Sequence, residues 1–262
     1  VSENKPYTTK LGAGLGLVNE TKTLLDLWSL GMTSIQLYQV ALESGRFPAV
    51  TARRLRNIVF ECFAPRYLVA EGVPATHLKL LASNICSADL TQLMLVFTCR
   101  ANPILGDFVR HVYWTRYAGG YTQITNEDAR AFVERGIDDG KSVKRWSEST
   151  VQHVSAYLTG CCADYGLLER GQRISRSILP FRISSVVVAY LAYELHFSGV
   201  GDNALLTNEN WELFGLARED VLAEMKKLSL KGSLIIQAAG DVIRISWKLQ
   251  DMETLCDVLS QS

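Results

Sequence analysis

Residues 147–179, SESTVQHVSAYLTGCCADYGLLERGQRISRSIL, and residues 217–247, AREDVLAEMKKLSLKGSLIIQAAGDVIRISW, decide the fold. Each is an amphipathic helix that stops at a glycine, Gly166 or Gly232, and runs into a short hairpin. Both hairpins turn on a glycine, and both return through Arg-Ile-Ser, at 173–175 and 244–246. A helix followed by a small hairpin is the closing half of a winged helix-turn-helix, which usually binds nucleic acid. A mainly α chain with tandem winged helix-turn-helix units and small β-hairpins is therefore expected.

The first unit has the composition of a DNA reader. Val151, Val154, Leu158 and Cys161 repeat at helical spacing and should face the core. That leaves Ser149, Gln152, His153, Ala156, Thr159 and Gly160 outside, a small polar face on which Gln152 or His153 could reach base edges. The hairpin carries Arg170, Arg173 and Arg176, with Arg182 just beyond, against Glu169 alone, and Lys144 and Arg145 precede the helix. The connection from the preceding helix takes about nine residues, where a helix-turn-helix usually takes about three or four.

The second unit has the tighter turn, around Gly215, and the opposite charge. Val221, Leu222, Met225 and Leu228 form its core stripe. Glu219, Asp220 and Glu224 then occupy the outer, N-terminal part of the helix, where phosphate would be repelled. Protein docking or scaffolding suits this unit better than base reading.

Upstream, helices are expected at about 18–30, 34–44, 51–63, 75–84, 88–100, 104–117 and 126–137. Caps and breakers mark them: Thr33 or Ser34, Pro65, Pro74, Ser87, Asn102 with Pro103, and Gly119-Gly120. Downstream, helices are expected at 184–197 and 208–214. In helix 51–63 the stripe Leu55, Ile58, Val59 and Cys62 turns Arg53 outward, flanked by Arg54 and Arg56, with Arg46 and Arg66 at the ends. Guanidinium groups so fanned can fork phosphate oxygens. Helix 104–117 mixes Phe108, Tyr113, Trp114 and Tyr117 with Arg110, His111 and Arg116. A base-stacking role is conceivable there, but helical aromatic stripes are more often core. The glycines Gly12, Gly14 and Gly16 lack the spacing and context of a phosphate loop and read as a flexible lead-in.

Composition bounds the function. The 262 residues are 48% apolar and 21% charged, with zero formal net charge. That argues against a general polyanion binder. The balance is uneven, however: residues 1–145 carry 17 Lys+Arg against 13 Asp+Glu, and residues 146–262 carry 10 against 14. Any nucleic-acid contact must then use local basic surfaces. Six cysteines without a Cys-x-x-Cys pair and four scattered histidines predict neither a metal site nor a cofactor, and they suit a reducing cytoplasm. No signal-like pattern opens the sequence. The apolar run 186–193 falls far short of the roughly 20 residues of a membrane span and reads as a buried helix. Asp202 with Glu224-Met225-Lys226 imitates a nuclease metal motif, but the Glu and Lys would need a strand and lie on a helix. No nucleophile–base pair or nucleotide loop is discernible, so a non-catalytic protein is expected.

The run Tyr7-Thr8-Thr9-Lys10, Leu17-Val18-Asn19-Glu20-Thr21, Trp28, Ala52-Arg53-Arg54-Leu55 and Arg66-Tyr67 resembles the BrxA family of BREX (bacteriophage exclusion) defence systems. Phe108-Val109-Arg110, then Trp146 with Thr150, and Asp164-Tyr165-Gly166-Leu167-Leu168 continue the resemblance to about residue 180. It implies a small, largely helical DNA-binding protein that works beside a methyltransferase, an ATPase and other defence subunits.

These readings combine into a helical domain over 1–140, a first winged unit over 141–183 and a second over 184–262. The expected partner is double-stranded DNA. Its contacts would be Arg53, Arg54, Arg56, Lys144, Arg145, Ser149, Gln152, His153, Arg170, Arg173, Arg176 and Arg182, on a cytoplasmic chain that is monomeric on its own. The alternative is an adaptor that docks defence subunits without touching DNA.

Overall fold

The computed structural model describes residues 5–171, 174–240 and 242–261. The chain is mainly helical: α1 Val18–Leu27, α2 Ser34–Glu43, α3 Ala52–Asn57, α4 Ala64–Tyr67, α5 Val73–Ala82, α6 Ser87–Ala101, α7 Pro103–Phe108, α8 Trp114–Ala118, α9 Asn126–Asp138 and α10 Glu148–Asp164. After these come α11 Ser185–Phe197, α12 Asp202–Leu205, α13 Arg218–Leu230 and α14 Met252–Ser260. The strands are β1 Gln123–Thr125, β2 Ser175–Ser177, β3 Leu234–Ala239 and β4 Val242–Trp247. Two compact units result, Val1–Thr76 with Met94–Phe181 and His77–Leu93 with Arg182–Ser262.

In the first unit, helix starts follow side-chain chemistry. Thr33 with Gln36 and Thr125 with Asp128 form capping boxes on α2 and α9, and the Ser147 hydroxyl accepts from the Thr150 N–H to open α10. The apolar stripe Leu55, Ile58, Val59 and Cys62 is fully buried, as its spacing requires. The helix expected to stop before Pro65 continues instead through a π-helical stretch, Ile58–Phe63, into α4. Pro65 falls directly after the π turn, at the second residue of α4, where the wider backbone spacing accommodates a residue with no N–H to donate. A second π stretch, Val109–Tyr113, joins α7 to α8.

The hairpin expected over 167–179 takes a different form. Among the described residues the backbone of its two arms is joined at the bridge Leu168↔Ile178, with bonds from the Glu169 N–H to the Ser177 carbonyl at 2.9 Å and from the Leu179 N–H to the Leu167 carbonyl at 3.0 Å. The Arg176 and Ser177 side chains add bonds to Glu169. The returning strand β2 pairs mainly with β1, antiparallel, with Ile124 opposite Arg176. The segment after Gly119-Gly120 is thus a sheet strand rather than a plain break, anchored by the fully buried Ile124. The order from α7 onward is helix, strand β1, helix α9, helix α10, a bridged arm at Leu168, then strand β2.

In the second unit, α11 is buried on every side over Val187–Tyr193, which explains its unbroken apolar sequence. No helix among the described residues is long and apolar enough to cross a membrane. The hairpin β3–β4 forms with Leu234 opposite Trp247 and turns at Gly240, whose φ of +59° favours glycine. Its free β4 edge is closed by side chains. Asp202 accepts from the Ile245 N–H at 2.8 Å, and Asn203 accepts from the Ile243 N–H at 3.3 Å. The helix expected at 208–214 is a 3₁₀ turn, Trp211–Phe214, with the Trp211 indole N–H bound to the Leu205 carbonyl at 2.7 Å. On α13, Glu219 and Asp220 are exposed, while Glu224 pairs with Lys227 at 2.6 Å.

Candidate nucleic-acid interface

The N-terminal half of α10 presents Ser149, Gln152, His153 and Ala156 to solvent, over a buried Val151, Val154 and Leu158. Thr159 and Gly160, expected on the same outer face, are buried instead, Thr159 to 1% exposure. Thr159 is turned toward α9, where its hydroxyl donates to the Asn126 side-chain oxygen at 3.1 Å, and Gly160 is covered by the N-terminal segment, which lies along the helix. A Cβ on Gly160 would meet Leu15 at 3.0 Å, one on Gly12 would meet the Tyr157 ring at 2.5 Å, and one on Gly16 would meet the Asp164 Cβ at 2.4 Å. The Gly16 N–H also donates to Asp164 at 2.8 Å. The glycine run is therefore a close-packed strap and not a flexible lead-in.

Arg66 holds that strap. It is 2% exposed, and its guanidinium donates to the carbonyls of Gly14 and Leu15, each at 2.8 Å, and of Gly16 at 3.2 Å. An arginine keeps its charge even here, since its pKa lies far above neutrality. Arg66 is thus removed from the arginine fan and serves inside the fold. The Tyr165 hydroxyl adds a bond to the Gly16 carbonyl at 3.1 Å. The start of the strap is tied at Tyr7, whose hydroxyl donates to Asp107 at 2.6 Å while Lys141 bonds the same carboxylate at 2.8 Å. Burial pushes the Asp107 carboxyl pKa up, but the bonds from Lys141 and Tyr7 outweigh it and hold it below the usual range.

The remaining fan is exposed on α3. Arg53 has no carboxylate partner among the described residues. Arg54 donates to the Ala13 carbonyl of the strap, and Arg56 lies over the Phe60 ring at 5.2 Å. Arg46, at the end of the fan, is paired with Asp26 at 2.9 Å. In the hairpin Arg170 is exposed, with a long bond of 3.4 Å to the Asp164 carbonyl. Arg54 and Arg170 line one small polar pocket of about 340 Å³ together with Asn19, Glu20 and Asp164. Arg176 is half-buried and donates to the Glu169 carbonyl at 3.0 Å, so it closes the hairpin from within. Arg173 lies outside the described residues, and Arg182 is exposed in the other unit.

Lys144 and Arg145 are exposed just before α10, Arg145 within 3.5 Å of the equally exposed Asp138. They stand at a cleft of about 790 Å³ between the Tyr7–Gly12 segment, the 143–147 linker and the flank of α10 that carries Thr150, His153 and Tyr157. Trp146, His153 and Tyr157 line it, with the His153 and Tyr157 rings nearly parallel at 18° and 6.3 Å apart. Sequence reasoning missed this cleft and the strap that makes it. The segment includes a 3₁₀ turn, Lys10–Ala13, and its three glycines each pack closely on a different neighbour: Gly12 on Tyr157, Gly14 on Leu17 and Cys62, and Gly16 on Asp164.

The aromatic helix belongs mostly to the core: Phe108 and Tyr113 are fully buried, and the Tyr113 hydroxyl donates to the Leu179 carbonyl at 3.0 Å. Among the described residues no three His, Cys, Asp or Glu side chains gather as a metal site would require.

A family model described as BrxA matches residues 5–194 of this chain. None of the functionally curated proteins matches it. Among solved structures, an uncharacterized protein from Magnetospirillum magneticum shares the fold at a TM-score of 0.58 and 17% identity, covering 74% of this chain and 96% of that one.

Proposed function

The chain belongs to the BrxA family of BREX phage-defence components, and on that footing we propose that it is a non-catalytic subunit that binds duplex DNA for such a complex in the cytoplasm. The observation that carries this reading is the α10 face. Ser149, Gln152, His153 and Ala156 are exposed and small or polar, directly behind the exposed cations Lys144 and Arg145. Glu148, at the start of the helix, is paired with Arg130, and Arg145 lies 3.5 Å from Asp138. We read the helix, strand, helix, helix and bridged hairpin arms from α7 to β2 as a winged helix-turn-helix with α10 as its reading helix. Arg170 of the hairpin and Arg53, Arg54 and Arg56 of α3 supply backbone contacts, which position the protein without reading sequence. The methyltransferase, ATPase and other subunits of the system are its protein partners, and the chain alone is a monomer.

A mobility-shift titration against duplex DNA at low and moderate salt tests the reading. DNA binding requires a shifted band whose affinity falls steeply as salt rises, because each phosphate contact releases counterions. The absence of a shift even at low salt would favour an adaptor that docks other subunits. The exposed Glu219 and Asp220 at the start of α13 support such docking for the second unit, in which we read α13 with β3–β4 as the second winged element.

A further inference from the structure

The flank of α10 that carries Thr150, His153 and Tyr157, beside the open face of Ser149, Gln152 and Ala156, is one wall of a concave site. A duplex is read by a convex helix that enters its groove. Here the Tyr7–Gly12 segment stands opposite the helix and leaves a cleft of about 790 Å³, within the roughly 300–1,000 Å³ of sites that enclose a small molecule. Its wall carries flat rings: the half-buried Trp146 and Tyr157 and the exposed His153. Its mouth carries Lys144 and Arg145, and the hydroxyls of Ser147 and Thr150 lie at the N-terminus of the 17-residue α10.

Rings beside cations and hydroxyls are the chemistry that holds unstacked bases and their phosphates. Every base has a π-face, so stacking is tolerant of sequence, while the cations follow the backbone. We propose that this cleft binds unpaired bases of single-stranded DNA, with Trp146 and Tyr157 as stacking platforms and Lys144 and Arg145 on the flanking phosphates. This rests on the DNA-binding reading above and adds a second mode to it. The strap forms the opposite wall, so the close packing of Gly12 against Tyr157 also fixes the Tyr157 ring that would stack.

The test measures the full chain against a labelled thymidine strand and a labelled duplex of equal length, by fluorescence anisotropy. Trp146→Ala should weaken strand binding about tenfold, in keeping with the loss of one stacked base, and change duplex binding less than twofold. Trp146→Phe, which keeps a ring, should restore most of the strand affinity. Quenching of tryptophan fluorescence by the unlabelled strand, present in the parent, should be lost in Trp146→Phe; this readout stands even if Trp146→Ala fails to fold. Quenching that persists in Trp146→Phe, or equal losses for strand and duplex in Trp146→Ala, would overturn the proposal. Duplex binding without strand binding would overturn it and leave the DNA-binding reading intact. Failure to bind either would remove both.

Discussion

Arg66 donates to the Gly14 carbonyl at 2.8 Å from a position almost closed to water. With Leu15 and Gly16 the same guanidinium serves three backbone carbonyls of the strap, and no carboxylate shares its charge among the bonds it makes. Hydrogen bonds to charged groups contribute about 1.5–3 kcal/mol each, and buried carbonyls left without a donor cost about 1–3 kcal/mol. Arg66→Ala should therefore destabilise the protein by about 3 kcal/mol or more, seen as a lower denaturant midpoint. Arg66→Lys should recover part of it, since one ammonium cannot match the planar fork. An unchanged midpoint in Arg66→Ala would show that the strap is held by other contacts.

The glycines of the strap give a second test. Gly16→Ala places a Cβ 2.4 Å from that of Asp164, an overpacking that should cost about 1–3 kcal/mol. Gly201 has open space around its Cβ position and an ordinary φ of −68°. Gly201→Ala meets no steric cost and should lose at most about 1 kcal/mol, since glycine is preferred over alanine at the N-cap it occupies on α12. Thermal unfolding of the two variants separates them, and equal midpoints would contradict the close packing.

The β4 edge is closed by side chains in place of a neighbouring strand. Asp202→Ala leaves the Ile245 N–H without its acceptor and should destabilise the second unit by about 1–3 kcal/mol. Asp202→Asn keeps an acceptor oxygen and should cost less. Amide exchange at Ile245 reads the effect directly: protection that survives Asp202→Ala would mean that another group accepts the bond.

Stability should also fall with mild acid. His77 is buried, its Nδ1 lies 2.8 Å from the Tyr190 hydroxyl, and desolvation holds its pKa below the ordinary 6.5 despite the opposing charges of Glu194 and Glu253. His196 is shifted the same way, again by burial. The unfolded chain then binds protons that the folded chain refuses. This contribution to stability is fully present above about pH 6.5 and is lost as pH drops from there through the lower folded pKa. Denaturant titrations at descending pH should show the decline, and His77→Gln should make it shallower. A profile unaffected by the substitution would place the sensitivity elsewhere.

Much of the helical frame was legible because it rests on local rules. The stripe of Leu55, Ile58, Val59 and Cys62 has helical period, and Thr33, Thr125 and Ser147 cap by their own side chains. Strand β1 was not legible: three residues with one buried apolar member, Ile124, carry no alternation to detect, and its partner β2 lies 50 residues away. Helix α14 was also missed, although Asp251 caps it and Leu255 and Cys256 anchor it. In the candidate site, sequence placed Ser149, Gln152, His153 and Ala156 correctly on the open face of α10. It placed Thr159 and Gly160 there as well, because nothing in the helix itself announces the Asn126 side chain of α9 that meets Thr159 or the strap that arrives at Gly160 from about 145 residues upstream. Arg66 and Arg53 look alike in sequence; only the carbonyls that gather around Arg66 distinguish a buried clamp from a surface cation.

The most direct test of DNA binding through the α10 face is the salt dependence of duplex affinity for the parent and two double variants. Lys144→Ala with Arg145→Ala removes the two cations that precede α10. Lys226→Ala with Lys227→Ala removes two from α13, where exposed Glu219 and Asp220 already repel phosphate. Each lost phosphate contact lowers the slope of log K against log salt by about 0.9 on duplex DNA. The account predicts weaker binding and a slope reduced by one to two such contacts for the first pair, and little change for the second. Equal losses, or a larger loss from the α13 pair, would contradict it.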